Sequence, residues 1–259
     1  MPFTPTHVLA ILPFATIKRL RLPFAALAIG SMIPDLPLFT RFGPSYQSTH
    51  SIPGLFTACL PLGLAAFFIF RSLMAIPLLA LLPPVARQRM EPHFENPAPL
   101  TGDSLVLASI AIVVGSATHG FWDSFTHEDR WGTRHVASLN AIDLTVGGRH
   151  VKRYELLQYG CSALGLPLLA VIFYDRYRKL PEPVRENRPE PFEGRTRVLI
   201  LAMFVLIAAA CGGYGWVRFD RPVAARLHDA VTKAGFGLMA AILAYCLAYR
   251  WKFRKIEIF

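Results

Sequence analysis

An apolar run long enough to cross a bilayer leaves a chain few ways to fold, because inside hydrocarbon every backbone N–H and C=O must find its partner within the protein. Four runs approach the roughly 20 residues that a crossing helix needs: Ile52 to Phe70, Ser104 to Phe125, Val198 to Val217 and Ala230 to Tyr249. Leu156 to Tyr174 makes a fifth. Hydrophobic residues form 53% of the chain and charged residues 17%, and the mean hydropathy is +0.39, well above that of a soluble globular chain. The expected fold is all-α: a polytopic integral membrane helical bundle of about five to seven segments.

Three shorter apolar runs are less regular. Pro2 to Ile17 and Leu22 to Phe39 carry Pro13, Pro23, Pro34 and Pro37, which bend or end helices, so these segments are expected to be short, tilted or half-embedded. Leu73 to Val85 holds Pro77 and ends at Pro83-Pro84, which reads as a re-entrant or interfacial piece and not as a span. The basic cluster Lys18, Arg19 and Arg21 follows the first apolar run instead of preceding it. That is the reverse of a signal peptide's order, so the N-terminus is expected to be retained.

If the segments alternate, 17 of the 27 lysines and arginines fall on one side, which the positive-inside rule makes cytoplasmic. Residues 175–197 mix basic and acidic side chains with Pro181, Pro183, Pro189 and Pro191 and read as a charged, Pro-rich, solvated linker. They separate an expected membrane domain, 1–174, from a C-terminal two-helix membrane segment, 198–259. The latter carries Gly212, Gly213, Gly215, Gly235 and Gly237, small residues suited to close helix contact.

Cys59, Cys161, Cys211 and Cys246 stand singly in different apolar runs, a pattern of packing residues and not of disulfides or thiolate metal sites. The net charge of +10 lies between spans, where orientation and anionic lipid headgroups account for it. Membrane lipids are therefore the expected partners, and nucleic acid is not.

The chemistry gathers in histidines and aspartates. His119, Asp123 and His127 follow one another at steps of four near the end of an apolar run, which places them on one stripe of a helix, as metal-binding side chains are. Asp35 sits between Pro34 and Pro37 inside another apolar run, and ionisable groups there default to functional candidates. His50 opens the next span and His7 lies in Thr4-Pro5-Thr6-His7. The alternation puts both on the same membrane face as the others. His7, Asp35, His50, His119, Asp123 and His127 thus form a candidate metal site, with Asp35, His119 and Asp123 as its catalytic members. Imidazole with carboxylate suits a divalent cation, zinc above manganese or iron. His135, His150, Glu155 and Gln158 follow in the next loop and helix and are weaker candidates, because their spacing gives no common face. Arg130 and Arg134 are candidates for binding phosphate, while His93 and His228 read as solvated or interfacial.

Met1-Pro2-Phe3-Thr4-Pro5-Thr6-His7, Pro34-Asp35-Leu36-Pro37, Thr49-His50-Ser51 and His119 to His127 resemble a bacterial membrane family, domain of unknown function 4184, over residues 1 to about 174. More distantly, the early T-H, P-D and T-H-S signatures are similar to those of the YdjM-type membrane-bound metal-dependent hydrolases. The order of His7, Asp35, His50, His119, Asp123 and His127 also resembles the zinc phospholipase C and P1 nuclease superfamily. That superfamily's later H-x-x-x-E is not matched here, since His150 and Glu155 lie one residue further apart, so the resemblance implies one or two metal ions instead of three.

These likenesses imply a metal-dependent hydrolase of a phosphoester or lipid-linked substrate in the bacterial cytoplasmic (inner) membrane, and the charge alternation leads to the expectation that its site lies at the outer face. Two rival readings stand beside it. One is a non-enzymatic membrane protein with a structural metal or a polar network between helices. The other is a transporter, against which the C-terminal helices count because they carry few ionisable residues.

Overall fold

A computed structural model of the chain describes residues 4–40, 43–95, 101–146, 149–182, 190–217 and 222–253. Five of its helices are long and apolar enough to cross a membrane: Ile52–Leu79, Gly102–Thr126, Arg153–Arg178, Gly194–Trp216 and Ala225–Phe253. The protein is an all-α polytopic membrane bundle, and its lipid-facing surface is correspondingly rich in exposed leucine, valine and phenylalanine. The N-terminal runs stay short: a 3-10 turn at Thr4–His7 and a nine-residue helix at Val8–Thr16, then an apolar helix at Phe24–Phe39.

Leu73 to Val85 is not the separate re-entrant piece that its prolines suggest. Its first half continues the helix Ile52–Leu79. Two π-turns, Leu55–Cys59 and Phe70–Met74, make this possible. Each stands just before a proline, Pro61 and Pro77. A proline lacks the N–H that the carbonyl four residues back requires, and its ring crowds that carbonyl. Widening the preceding turn, so that Leu60 and Ala75 donate to the carbonyls of Leu55 and Phe70, absorbs the misfit without breaking the rod.

The chain divides into two compact units. The first comprises residues 1–37, 42–67 and 99–179. Its centre is the crossing of the helices Phe24–Met32 and Gly102–Thr126 around buried Leu27, Ala108, Ala111 and Ile112, with Val8 and Ile11 packed on them. Gly30 and Gly115 permit the close approach. A Cβ on Gly30 would lie 2.7 Å from the Ile112 Cα, and one on Gly115 would lie 2.7 Å from the Ser31 nitrogen. Ser116 Oγ donates to the Gly30 carbonyl at 3.0 Å across the same contact. Small residues and an interhelical hydrogen bond are what hold helices together where apolar burial gives little advantage over lipid.

The loop after Thr126 is more structured than its charge suggests. A short helix, Trp131–His135, precedes an antiparallel hairpin of Ile142–Val146 with Arg149–Lys152. Arg153 pairs with Asp143 through two bonds of 2.7 and 2.8 Å, tying the hairpin to the start of the helix Arg153–Arg178. That helix runs past Tyr174 into the segment expected to be linker, and the next begins at Gly194. Residues 183–189 of the linker lie outside the described residues.

The second unit comprises residues 38–41, 68–98 and 180–259. The helices Gly194–Trp216 and Val223–Phe253 pack on each other around Phe204, Ala241, Tyr245 and Cys246. Gly215 and Gly237 face close neighbours, Asp229 and Cys211, whereas Gly213 faces open space. Arg87 lies against Glu190 at 3.0 Å, and Arg197 donates to the Leu82 carbonyl at 3.1 Å. All four cysteines are free.

Candidate metal centre

The crossing at Gly30 and Gly115 sets the register of the site. His119 follows Gly115 by one helical turn and Asp123 follows by another, both on the stripe that faces the partner helix. On that partner the helix tightens into the 3-10 turn Ile33–Asp35, which turns the Asp35 carboxylate inward, fully buried. Thr49 Oγ1 donates to the Pro34 carbonyl at 2.8 Å and so pins the turn Tyr46–Thr49, whose next residue is His50. His7 ends the turn Thr4–His7, buried with its ring stacked on His119 at 3.8 Å between centroids.

These side chains converge around Asp123. Its Oδ2 lies 3.4 Å from His119 Nε2 and 3.6 Å from His50 Nε2. Asp35 Oδ1 lies 3.5 and 3.7 Å from the same two nitrogens. Asp35, His50, His119 and Asp123 each offer a ligand atom within 4.8 Å of all the others. On the opposite side, Asp123 Oδ1 lies 3.5 Å from His7 Nε2.

Each separation exceeds the 2.7–2.9 Å of a charge-assisted hydrogen bond. Asp35 Oδ1, both Asp123 oxygens, and the Nε2 atoms of His7, His50, His119 and His127 are all buried without a hydrogen-bond partner among the described residues. Left so, such groups cost about 1–3 kcal/mol apiece. Two ligands at 2.0–2.1 Å from a tetrahedral cation stand ~3.4 Å apart, the spacing found here. The distal nitrogens fit as well: His119 Nδ1 faces the Ser31 carbonyl at 2.8 Å and His50 Nδ1 faces the Tyr46 carbonyl at 2.9 Å. An imidazole that donates Nδ1–H to a carbonyl presents an Nε2 lone pair, the form in which histidine binds metal. The residues present therefore fit a divalent cation.

His127 departs from the expected stripe. The helix ends at Thr126, and His127 is extended, with φ −127° and ψ 145°. Its Nδ1 folds back to the Asp123 carbonyl at 3.2 Å, while Thr133 Oγ1 donates to the His127 carbonyl at 2.9 Å. It borders the cluster on the Oδ1 side, 3.6 Å from Asp123 through Nδ1.

The four weaker candidates are placed differently. His135 is exposed and stacks on Trp131 at 4.9 Å. His150 meets Thr145 within the hairpin. Glu155 accepts from the Lys152 backbone N–H at 3.2 Å as part of a helix cap. Gln158 is buried in the helix Arg153–Arg178. None of them belongs to the four-ligand group. Arg134 pairs with Asp129 at 3.3 Å, and Arg130 lies 5.9 Å from the centre of the Tyr46 ring. His93 and His228 are exposed.

Two supporting residues escaped the sequence reading. Thr4 Oγ1 donates to Asp35 Oδ2 at 2.7 Å, holding the carboxylate so that Oδ1 is the free oxygen. Tyr46 lies 3.9 Å from the His50 ring. Burial, with the Asp123 and Asp35 charges nearby, pushes its phenol above the ordinary value and keeps it a neutral hydroxyl. Thr4 stands in the same short motif as His7, and Tyr46 four residues before His50, so proximity to the histidines was the available signal.

The sequence profile of the family described as Domain of unknown function (DUF4184) matches residues 1–247. The chain belongs to the DUF4184 family. No curated protein and no solved structure matches it. The DUF4184 match extends beyond the first 174 residues to include both C-terminal helices, and every residue of the four-ligand group falls within it.

Proposed function

We propose that this DUF4184 protein is a metal-dependent hydrolase of phosphoesters. The observation that supports the reading most is the set of buried, unpartnered oxygens and Nε2 atoms around Asp123. Asp35, His50, His119 and Asp123 hold one divalent cation, zinc by preference, since two imidazoles and two carboxylates in a compact group suit it. His7, with the second oxygen of Asp123, offers a place for another.

A cation held there would supply a water of lowered pKa and a Lewis acid for a phosphoryl oxygen. The protein's own groups do the rest. Ser31 and Tyr46 fix the histidine rings through their carbonyls, and Thr4 orients Asp35. Burial keeps bulk water from the ligands. Arg130, beside Tyr46, supplies a cation near the cluster for a phosphate oxygen. The charge bias of the sequence supports an orientation with the centre at the outer face, in a bacterial cytoplasmic membrane by the proposed reading.

The test is metal analysis and hydrolysis of bis(4-nitrophenyl) phosphate by protein purified without chelators. The wild type is expected to carry stoichiometric zinc and to turn over the ester, and the double variant H119A/D123A to lose both while keeping its helical circular dichroism. Metal without turnover of any phosphoester would make the centre structural. Absence of transition metal would end the proposal.

A further inference from the structure

We infer that an apolar cleft opening beside His7 receives one hydrocarbon chain of a lipid phosphoester, so that the substrate reaches the metal centre from within the bilayer. This rests on the hydrolase reading above. The cleft has a volume of about 520 Å³, within the roughly 300–1,000 Å³ typical of small-molecule sites. Its walls are almost wholly apolar, formed by Leu9, Trp122, Leu157, Cys161 and Leu164.

Three observations select the occupant. First, the polar residues Thr6 and His7 line the cleft, and they belong to the turn that carries His7 to within 3.5 Å of Asp123 Oδ1. A chain lying in the cleft thus has its polar end directed at the cluster. Second, the cleft runs between residues 6–10 and the helix Arg153–Arg178, with Trp122 on its wall; that helix is long and apolar enough to cross the membrane, and the medium alongside such a helix is itself hydrocarbon. Water would find few partners against such walls, and a soluble phosphoester has no group to fill them. Third, the helix leaves room at one of its glycines. A Cβ on Gly160 would meet nothing within 4 Å among the described residues, while one on Gly165 would lie 3.2 Å from side-chain atoms of Thr6 and Leu9. The helix is therefore close-packed at one glycine and open at the other.

Gly160→Trp fills the cleft without replacing any of the four residues Asp35, His50, His119 and Asp123, and Gly213→Trp, at a glycine that also faces open space, is the matched control in the other unit. The experiment uses the full chain in phospholipid nanodiscs containing a phosphatidylglycerol analogue with a diazirine in one acyl chain. Photolabelling is mapped by peptide, and turnover of that lipid is compared with turnover of bis(4-nitrophenyl) phosphate. The wild type is expected to label within Leu156 to Leu168 above the background on the exposed face of Gly194–Trp216. G160W should lose that labelling and about tenfold in lipid turnover, with zinc content and soluble-ester turnover kept, and G213W should behave as wild type.

Wild-type labelling no denser in the cleft than on the other helices would overturn the inference, whether or not G160W folds. So would unchanged lipid turnover in a folded G160W that has lost the label. If the cleft labels selectively and G160W blocks it, yet the wild type hydrolyses neither substrate, the chain-binding site stands and the hydrolase reading falls.

Discussion

Ser116 Oγ donates to the Gly30 carbonyl at 3.0 Å, at the level where two helices meet backbone to backbone. One turn further along each helix the cluster begins, with His119 on one side and, through the 3-10 turn, Asp35 on the other. The His/Asp cluster is thus positioned by a contact to which none of its four members contributes.

A methyl group at Gly115 tests this. Its Cβ would lie 2.7 Å from the Ser31 nitrogen, and that neighbour is backbone, which cannot rotate away. Gly115→Ala is expected to destabilise the protein by about 1–3 kcal/mol through overpacking. It should also weaken zinc binding, because Ser31 and His119 are bonded to each other across the same interface. Thermal unfolding in detergent and competition against a zinc indicator measure the two effects. A variant with lowered stability but unchanged zinc affinity would show that the crossing does not set the site.

Thr4→Val removes a donor and preserves shape. Asp35 Oδ2 then loses its 2.7 Å partner, and the carboxylate can rotate away from the position it shares with His50 and His119. Loss of such an orienting bond typically costs 10- to 100-fold in metal affinity, so a zinc titration should fall by about that factor, and the chelated protein should also melt lower, because the buried Asp35 Oδ2 is left without its donor.

The convergent His/Asp cluster was legible because membrane segments make ionisable residues conspicuous: Asp35 between prolines, and His119 with Asp123 one turn apart, have little reason to sit in apolar runs. What orients them was not legible, since the Ser31 and Tyr46 carbonyls carry no side-chain signature and Thr4 acts across 31 positions. Pro77 misled in the opposite direction. A proline forbids a regular α-turn, but a π-turn just before it keeps the helix continuous, and nothing in residue type alone distinguishes the two outcomes. The hairpin did leave a trace in the alternation of Ile142, Leu144 and Val146 with Asp143 and Thr145, although charge in the surrounding loop outweighed it. His127 left the helix because the chain turns beyond it, where Asp129 adopts φ 62°.

The hairpin provides a prediction in pH. The hydrogen bonds and charge of Arg153 hold the Asp143 carboxyl below its ordinary value of 3.8. A carboxyl depressed in the folded state contributes stability that is present above 3.8 and is lost as pH falls through its lower folded value. The protection of the Ile142–Val146 and Arg149–Lys152 amides, measured relative to the intrinsic exchange rate at each pH, should therefore fall selectively in acid, by a small amount because the pair is exposed. Asp143→Asn should show the lower protection already at neutral pH and no further acid step. Protection that stays level in the wild type across the acid range would mean that the pair does not anchor the hairpin.

Zinc itself should act as a stability ligand. Without a cation, Asp35 and Asp123 bring two carboxylates within 4.8 Å of each other and of two histidines, all withdrawn from water, and that arrangement is costly. A metal that binds the folded state alone stabilises it by about 2.7 kcal/mol at a concentration 100 times its dissociation constant. Chelation should lower the melting temperature, and added zinc should restore it in a concentration-dependent way. Asp35→Asn separates this from a general salt effect: it removes one buried charge while the Thr4 hydroxyl can still donate to the amide oxygen. The chelated variant is expected to melt no lower than chelated wild type, yet to gain nothing from zinc. An Asp35→Asn protein still stabilised by zinc to the wild-type extent would place the ion elsewhere.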